Sequence, residues 1–397
     1  MANPLVDSGL PLFFQISNPD EVGIDVPENR NGDSVRTWVR SLSHMQKEAI
    51  VRSSRTGVAW RLASDEGAYL DGLDAAPCPL SFLTTGMVCS TMNEVLALAK
   101  QRNIEIKHIR LTQDNYYTMK GSMFRGTMTG GAKDVKLEAQ IDADADAATL
   151  KKLVEDAVEF SPLSGLMREA LDSLFTLSHN GVEMASTESK PLGAPLLADP
   201  GDHFGHAKPV ASELGSIITN TGVMTPKAEH TSGFAGSSLA EEQDRLLHVK
   251  GICTLRPDGV KEIEQHLYNP HGSIFKFLSE ETPEKGGQGR APDANSYISA
   301  GIGFCFMTQF GRAAAIFKKE LDKYRVVQDT YFSRGGATDN TGKPGTTDEI
   351  ETHCYLESQF DDDYAQHVLG MAEQTCFLHA FCRTALKTDV TLSDFPL

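Results

Sequence analysis

The strongest constraint on how this chain folds is a layout that it carries twice. Cys89 lies early in a helical run that continues through residues 90–100, and 72 positions later Ser161 sits within residues 157–163. In the second half Cys305 lies in the run 303–307, and Cys376 follows it 71 positions later. A separation held within one residue over that length is hard to obtain by chance, so it predicts an internal repeat of about 215 residues. The copies differ in one chemical respect. One keeps two thiols where the other keeps a thiol and a hydroxyl.

A chain of 397 residues with 40% apolar content has material for roughly two to three domains, each with its own core. Its formal charge is −17, and no local cluster of Lys and Arg interrupts it. That excludes a nucleic-acid or anionic-membrane surface, because a phosphate-binding face needs concentrated positive charge. No stretch reaches the roughly 18 uninterrupted apolar residues of a membrane span, and residues 1–12 have neither a basic leader nor a continuous apolar core. The expected location is the cytoplasm. The seven cysteines, at 78, 89, 253, 305, 354, 376 and 382, are odd in number and scattered through apolar segments. They suit a reducing compartment better than a disulfide framework. They form no CxxC pair and no zinc-like spacing, and no metal or cofactor is expected. His203 and His206 lack a further ligand at a diagnostic spacing, so a solvated loop is the reading there.

Periodicity gives each half the order β-α-β-α. In the first, residues 47–61 alternate as strands, 71–79 form a turn-rich approach to the helix bearing Cys89, and 104–111 return as a strand. Residues 124–129 and 135–141 then make a hairpin around Gly130-Gly131, and a second helix starts at Asp146, with Ser161 on it or just beyond. In the second half, residues 246–255 and 274–278 read as strands, a helix spans about 295–324, 324–332 and 349–360 form the hairpin, and Asp361 caps a final helix to Leu386. Residues 185–239, rich in Gly, Pro, Ser and His without a sustained period, read as a long linker packed over the surface. The expected division is thus 1–184, a linker at 185–239, and 240–397.

Several residues carry a resemblance that fits this order. Ser64-Asp65-Glu66 and Ser279-Glu280-Glu281 form paired turns, Ala76-Pro77 and Ala291-Pro292 lead into a small-residue helix with Cys in its early turns, and a later helix ends in an A-x-x-x-C pattern. Together these resemble the OsmC/Ohr family over about 140 residues of each half. The resemblance implies an α+β fold in which antiparallel sheets wrap around central helices. It also implies two tandem OsmC-like domains forming a pseudo-dimer within one chain; whether that unit pairs again as a homodimer is left open.

The chemistry the resemblance implies is thiol-dependent reduction of organic hydroperoxides. One cysteine attacks as thiolate, and the second resolves the sulfenic acid as a disulfide before oxidation becomes irreversible. By position Cys305 attacks and Cys376 resolves, with a dithiol reductant as partner, while Cys89 faces only Ser161, which cannot form a disulfide. The glutamate expected about nine residues before the first cysteine is missing, Leu80 and Ser296 standing there, and Cys376 is followed by Phe377 where the family has proline. His379 and Arg383 share a helical face with Cys376 and could lower its thiol pKa, against the tendency of Phe304 and Phe306 to raise it. Arg168 recurs in the matching place in the first half. Both arginines also have a plain structural reading near a helix end, as does Arg312. The expected pocket therefore holds Cys305, Cys376 and His379 as reacting groups, lined by Cys89, Ser161, Arg383, Phe304 and Phe306. Two further readings use the same pocket for a small organic substrate: a cysteine-dependent hydrolase or lyase with His379 as general acid/base, and a non-catalytic binding protein.

Overall fold

Strict alternation of buried and outward residues builds the longest strands. Between 109 and 119 the odd positions Ile109, Leu111, Gln113, Asn115, Tyr117 and Met119 are all buried, while the even ones are half-buried, as a sheet with one face on a core requires. The computed structural model describes residues 3–201, 203–226 and 237–395.

Two short helices, α1 (Pro4–Asp7) and α2 (Pro19–Val22), flank the two-residue strand β1 (Phe14–Gln15). Strands β2 (Gly32–Ser41), β3 (Lys47–Ser53) and β4 (Ala59–Ser64) lead to the helix α3 (Pro79–Gln101). After it come β5 (Ile106–Ser122), β6 (Thr129–Ala132), β7 (Val135–Ala143), α4 (Ala147–Phe160) and α5 (Ser164–Arg168), then β8 (Ser173–His179) and β9 (Val182–Met184). The second half contributes β10 (Ile218–Met224), β11 (Glu242–Leu255), β12 (Lys261–Asn269), β13 (Ser273–Ser279) and the helix α6 (Ala294–Phe317). It closes with β14 (Lys323–Ser333), β15 (Ile350–Glu357), α7 (Asp362–Thr375), α8 (Phe377–Cys382) and β16 (Thr388–Ser393).

The strands form two large sheets. One has the order β1-β4-β3-β2-β14-β15-β8-β9, and the other β10-β13-β12-β11-β5-β7-β16, with β6 beside β5. Exchanging β2, β3 and β4 for β11, β12 and β13, β14 and β15 for β5 and β7, and β8 for β16 converts one central order into the other. The pairing is antiparallel except for β15 with β8 and β16 with β7, which are parallel in both sheets. Each sheet is stitched at its centre by one strand from each half, β2 on β14 and β11 on β5.

Between the sheets, α6 packs on β2, β3 and β14, α3 packs on β5, β11 and β12, and the helices pack on each other. Their crossing needs glycine. A Cβ at Gly86 would lie 2.5 Å from Ile298 Cγ1, and one at Gly301 would lie 2.7 Å from the backbone nitrogen of Leu83. Both helices are long and apolar enough to cross a membrane, yet 83% of each apolar window is buried inside the protein. They are core helices, apolar on all sides because they are covered on all sides.

Several sequence expectations need correction. Residues 123–128 form a turn rather than a strand, and β5 runs on to Ser122. Helix α6 stops at Phe317, where Lys318 adopts a left-handed cap with φ 55°. The last helix breaks at Cys376. Strands β2, β8, β12 and β16 had no assigned place in the sequence reading. Residues 202 and 227–236 of the expected linker lie outside the described residues. Within the rest of the linker, β10 pairs with β13, while Phe204 and Ala207 join Phe14, Ile16, Trp38, Val327 and Tyr355 in a satellite core.

Candidate active site

Cys305 sits on α6, whose first turn is fixed by Asp293 accepting from the Ser296 amide at 2.8 Å, and its side chain is buried. Cys376 stands where α7 ends and α8 begins. Its backbone turns extended, with φ −68° and ψ 118°, and its Sγ accepts from the His379 amide at 3.5 Å as the cap of α8. The break turns the sulfur inward onto α6, where Cys376 lies close enough to Cys305 to help raise the pKa of its thiol. Thr375 supports the turn by donating to the Met371 carbonyl at 2.7 Å and to Gln309 Oε1 at 3.2 Å. The two thiols that the sequence singled out are therefore brought together.

Cys305 lines a cavity of about 30 Å³ with Glu66, Tyr69, Cys78, Thr308 and Phe377, room for a water or two. Cys376 is not among the lining residues. Glu66 is fully enclosed. It accepts from Tyr69 Oη at 2.6 Å and from Thr308 Oγ1 at 2.8 Å, and burial raises its pKa against the attraction of buried Lys47. Burial lowers the Lys47 ammonium in turn, while Glu66, Asp65, Cys305 and Cys78 oppose that shift. Burial also pushes the Cys78 thiol up to about 12. The Cys305 thiol is held well above its usual range by burial first, then by Cys376, with a smaller contribution from Glu66. At rest this sulfur keeps its proton.

The counterpart in the first half is a pair of hydroxyls. Ser90 Oγ and Ser161 Oγ are 2.7 Å apart. Ser161, like Cys376, caps the end of its helix with an extended backbone, φ −58° and ψ 132°. Ser161 thus meets Ser90 rather than Cys89, correcting the expected partnership. Cys89 turns the other way, toward Cys253, Lys261 and Ser279, whose pull on its thiol pKa outweighs the rise that burial causes. With Ser90 in register the separation is 71 in both copies, and Gly86 with Gly301, Pro77 with Pro292, and Glu66 with Glu281 all share the offset of 215. That constant offset was the signal available in the sequence. Asn93 donates to Glu281 as Thr308 does to Glu66, so the polar surroundings repeat as well.

The remaining expected residues fall elsewhere. His379 is fully buried, with its ring against Phe306 and Phe175, and neither ring nitrogen has a hydrogen-bond partner. Burial drives its pKa down to about 3, with Arg383 adding to the shift. A neutral imidazole lends no positive charge to Cys376, which corrects that expectation. Arg383 is engaged by Glu373 at 2.7 Å and by the Gln374 carbonyl at 3.0 Å, the plain structural role. Phe304 packs on Phe82 and Phe306 on Phe175 and Phe310, so both belong to the core behind the cavity. Glu66, Lys47 and Ser90 are site residues that the sequence reading did not assign.

Residues 287–391, which hold Cys305 and Cys376, match the family model described as OsmC-like protein. This stretch is an OsmC-like domain. The crystal structure of an OsmC-like hydroperoxide resistance protein from Jannaschia sp. CCS1 is similar at 18% identity, covering 38% of this chain and 98% of that one, with a TM-score of 0.24. No curated protein matches the chain.

Proposed function

We propose that the chain is a duplicated OsmC-like protein, with halves at 1–184 and 240–397 joined by 185–239 into an intrachain pseudo-dimer, and that it reduces organic hydroperoxides at one thiol site. The observation that carries this reading is the neighbourhood of two buried thiols, of which Cys305 borders a cavity while Cys376, outside its lining, acts on the Cys305 thiol. A cavity-facing sulfur can meet a substrate oxygen, and a second sulfur in contact can capture the product before further oxidation.

In this reading the Cys305 sulfur attacks one peroxide oxygen of ROOH, the O–O bond breaks, and Cys305 sulfenic acid and ROH form. The thiol proton leaves as attack proceeds, since burial disfavours a resting thiolate. Glu66, reached through Thr308 one turn along α6, accepts it and returns it to the departing alkoxide. The Cys376 thiol then attacks the sulfenic sulfur, releasing water and forming the disulfide. A dithiol reductant restores both thiols by exchange. Ser90 and Ser161 cannot follow this course, so the first-half position is silent. The buried free thiols suit a reducing cytoplasm.

One equivalent of cumene hydroperoxide should convert Cys305 and Cys376 to a disulfide-linked peptide, reversed by dithiothreitol. Cys376→Ser should react once and accumulate a sulfenic acid trapped by dimedone, while Cys305→Ser should consume no peroxide. Unchanged thiols in the wild-type protein would overturn the proposal. The hydrolase reading is less well supported, because His379 is not among the residues lining the cavity and burial, lowering its pKa to about 3, makes it a weak base.

A further inference from the structure

Two buried arginines border the same cavity as Cys305. Arg245 comes from β11 and Arg312 from α6, and they are 8% and 1% exposed. Among the described residues neither forms an ion pair with a carboxylate. Arg312 Nε donates to the Ser238 carbonyl at 2.8 Å, but its terminal nitrogens find Gln309 Oε1 at 3.3 Å and two thioether sulfurs, of Met119 and Met128. Thioether sulfur is a weak acceptor, so these donors are poorly served. Arg245 donates to Ser238 Oγ, and its Nε is buried without any partner. Burial lowers the two guanidinium groups to about 10 and about 9, and the repulsion of Arg245 adds to the shift at Arg312. Both stay charged at neutral pH.

The first-half position shows what a purely structural solution looks like. There Arg55 is paired with Glu284 at 3.3 Å and Asp293 at 3.6 Å, and Lys285 with Asp339 at 3.3 Å. Cations and carboxylates balance around the serines. Around Cys305 they do not: among the described residues the carboxylates that act on Lys47 and Arg245 are Glu66 and Asp65, none acts on Arg312, and Asp65 is taken up by the amides of Leu73 and Ala75 at 3.3 and 3.1 Å. Burying a cation without a carboxylate is costly and is tolerated where a ligand supplies the missing charge.

We infer that Arg245 and Arg312 form an anion subsite that receives the carboxylate of the substrate, making the preferred substrate a small organic hydroperoxide that carries a carboxylate. This rests on the peroxidase reading for the hydroperoxide and on the arginine pair alone for the carboxylate. A guanidinium offers paired N–H donors in the plane that a carboxylate accepts. The cavity is small at rest, so admitting an organic acid requires its lining side chains to move apart.

The test compares para-carboxylated cumene hydroperoxide with its methyl ester, and uses 4-isopropylbenzoate as an inert probe of binding. The wild-type protein should favour the acid at least tenfold in kcat/KM, and 4-isopropylbenzoate should bind in calorimetry and compete with the acid. Arg245→Gln should cut the acid-to-ester ratio at least tenfold and weaken 4-isopropylbenzoate by a similar factor. The wild-type ratio and the competition need no variant, so misfolding of Arg245→Gln does not block the test. Equal turnover of acid and ester with no binding of 4-isopropylbenzoate overturns the subsite. If neither peroxide is consumed yet 4-isopropylbenzoate binds and Arg245→Gln abolishes it, the peroxidase reading falls and the subsite stands.

Discussion

Glu66 acts on Cys305 in two opposed ways, and a single substitution separates them. Its negative charge contributes to the raised pKa of the thiol, whereas its carboxylate is the proton acceptor in the proposed reaction. Glu66→Gln removes the charge and the base together. Alkylation of Cys305 by iodoacetamide should then begin at lower pH, because the thiolate is less disfavoured, while cumene hydroperoxide reduction slows by tenfold or more. Parallel changes in the two rates would remove Glu66 from the proton path. His379 makes a second residue-level case. In the unfolded chain its imidazole binds a proton near pH 6.5, and in the folded protein burial delays that to about 3. Between those values the unfolded state holds the extra proton, so the stability this group contributes is intact above pH 6.5 and is lost as pH falls toward 3. His379→Phe keeps the ring between Phe306 and Phe175 and removes two unpartnered nitrogens. It should raise stability at pH 7 by about 1 kcal/mol, and urea midpoints at pH 7 and pH 4 should diverge less than in the wild-type protein.

The crossing of α3 and α6 bears on the site, since the cavity beside Cys305 and Thr308 of α6 is also lined by Pro79 and Leu80 of α3. Gly301→Ala places a methyl 2.7 Å from the Leu83 nitrogen and 3.1 Å from the Pro79 carbonyl. Backbone atoms cannot step aside singly, so the helices must part, and the expected loss is about 1–3 kcal/mol by thermal or urea unfolding. Gly303→Ala is the control. Its nearest neighbour is Val39 Cγ2 at 3.0 Å, a side-chain methyl that can shift, and the gain in helix propensity of about 1 kcal/mol offsets the crowding. A loss for Gly303→Ala as large as that for Gly301→Ala would discount close helix approach as the reason for glycine. Elements were legible where their pattern is local. Both core helices, the caps at Asp146 and Asp361, and the strands around 47–61 and 246–255 follow from periodicity and capping residues. Strands β8 and β16 do not, because each is short and is recruited by parallel pairing to a strand of the other half, a partnership invisible to any local window. The break at Cys376 has no Gly or Pro to mark it in the sequence, and the cap that Cys376 gives the His379 amide is visible only in the structure. Cys89 matches Cys305 as thiol to thiol, but the offset of 215 shared by its neighbours pairs Ser90 with Cys305.

At the scale of the molecule the two sheets echo each other in strand order, and what that means for folding depends on where they are joined. Neither half owns a sheet. Strand β2 meets β14 from Gly32 with Ser333 to Arg40 with Arg325, and β11 meets β5 from Glu242 with Ser122 to Thr254 with Arg110. Those seams run through the middle of each sheet, with buried residues on both sides, and the main core draws on both halves continuously. Cutting the chain at about 240 would leave each fragment with unpaired edges on β2, β5, β11 or β14 and with an all-apolar helix missing its partner. Exposed edges of that length invite aggregation rather than independent folding. The fragments 1–239 and 240–397 expressed singly should therefore be insoluble or lack cooperative unfolding, whereas the two produced together should recover a soluble 1:1 complex with both sheets formed. Cooperative unfolding of either fragment alone, followed by circular dichroism during urea titration, would mean that the seams are docking contacts between finished domains. Recovery of cumene hydroperoxide reduction by the complex alone would tie the site to the seam, because Lys47 and Glu66 come from the first fragment and Cys305 and Cys376 from the second.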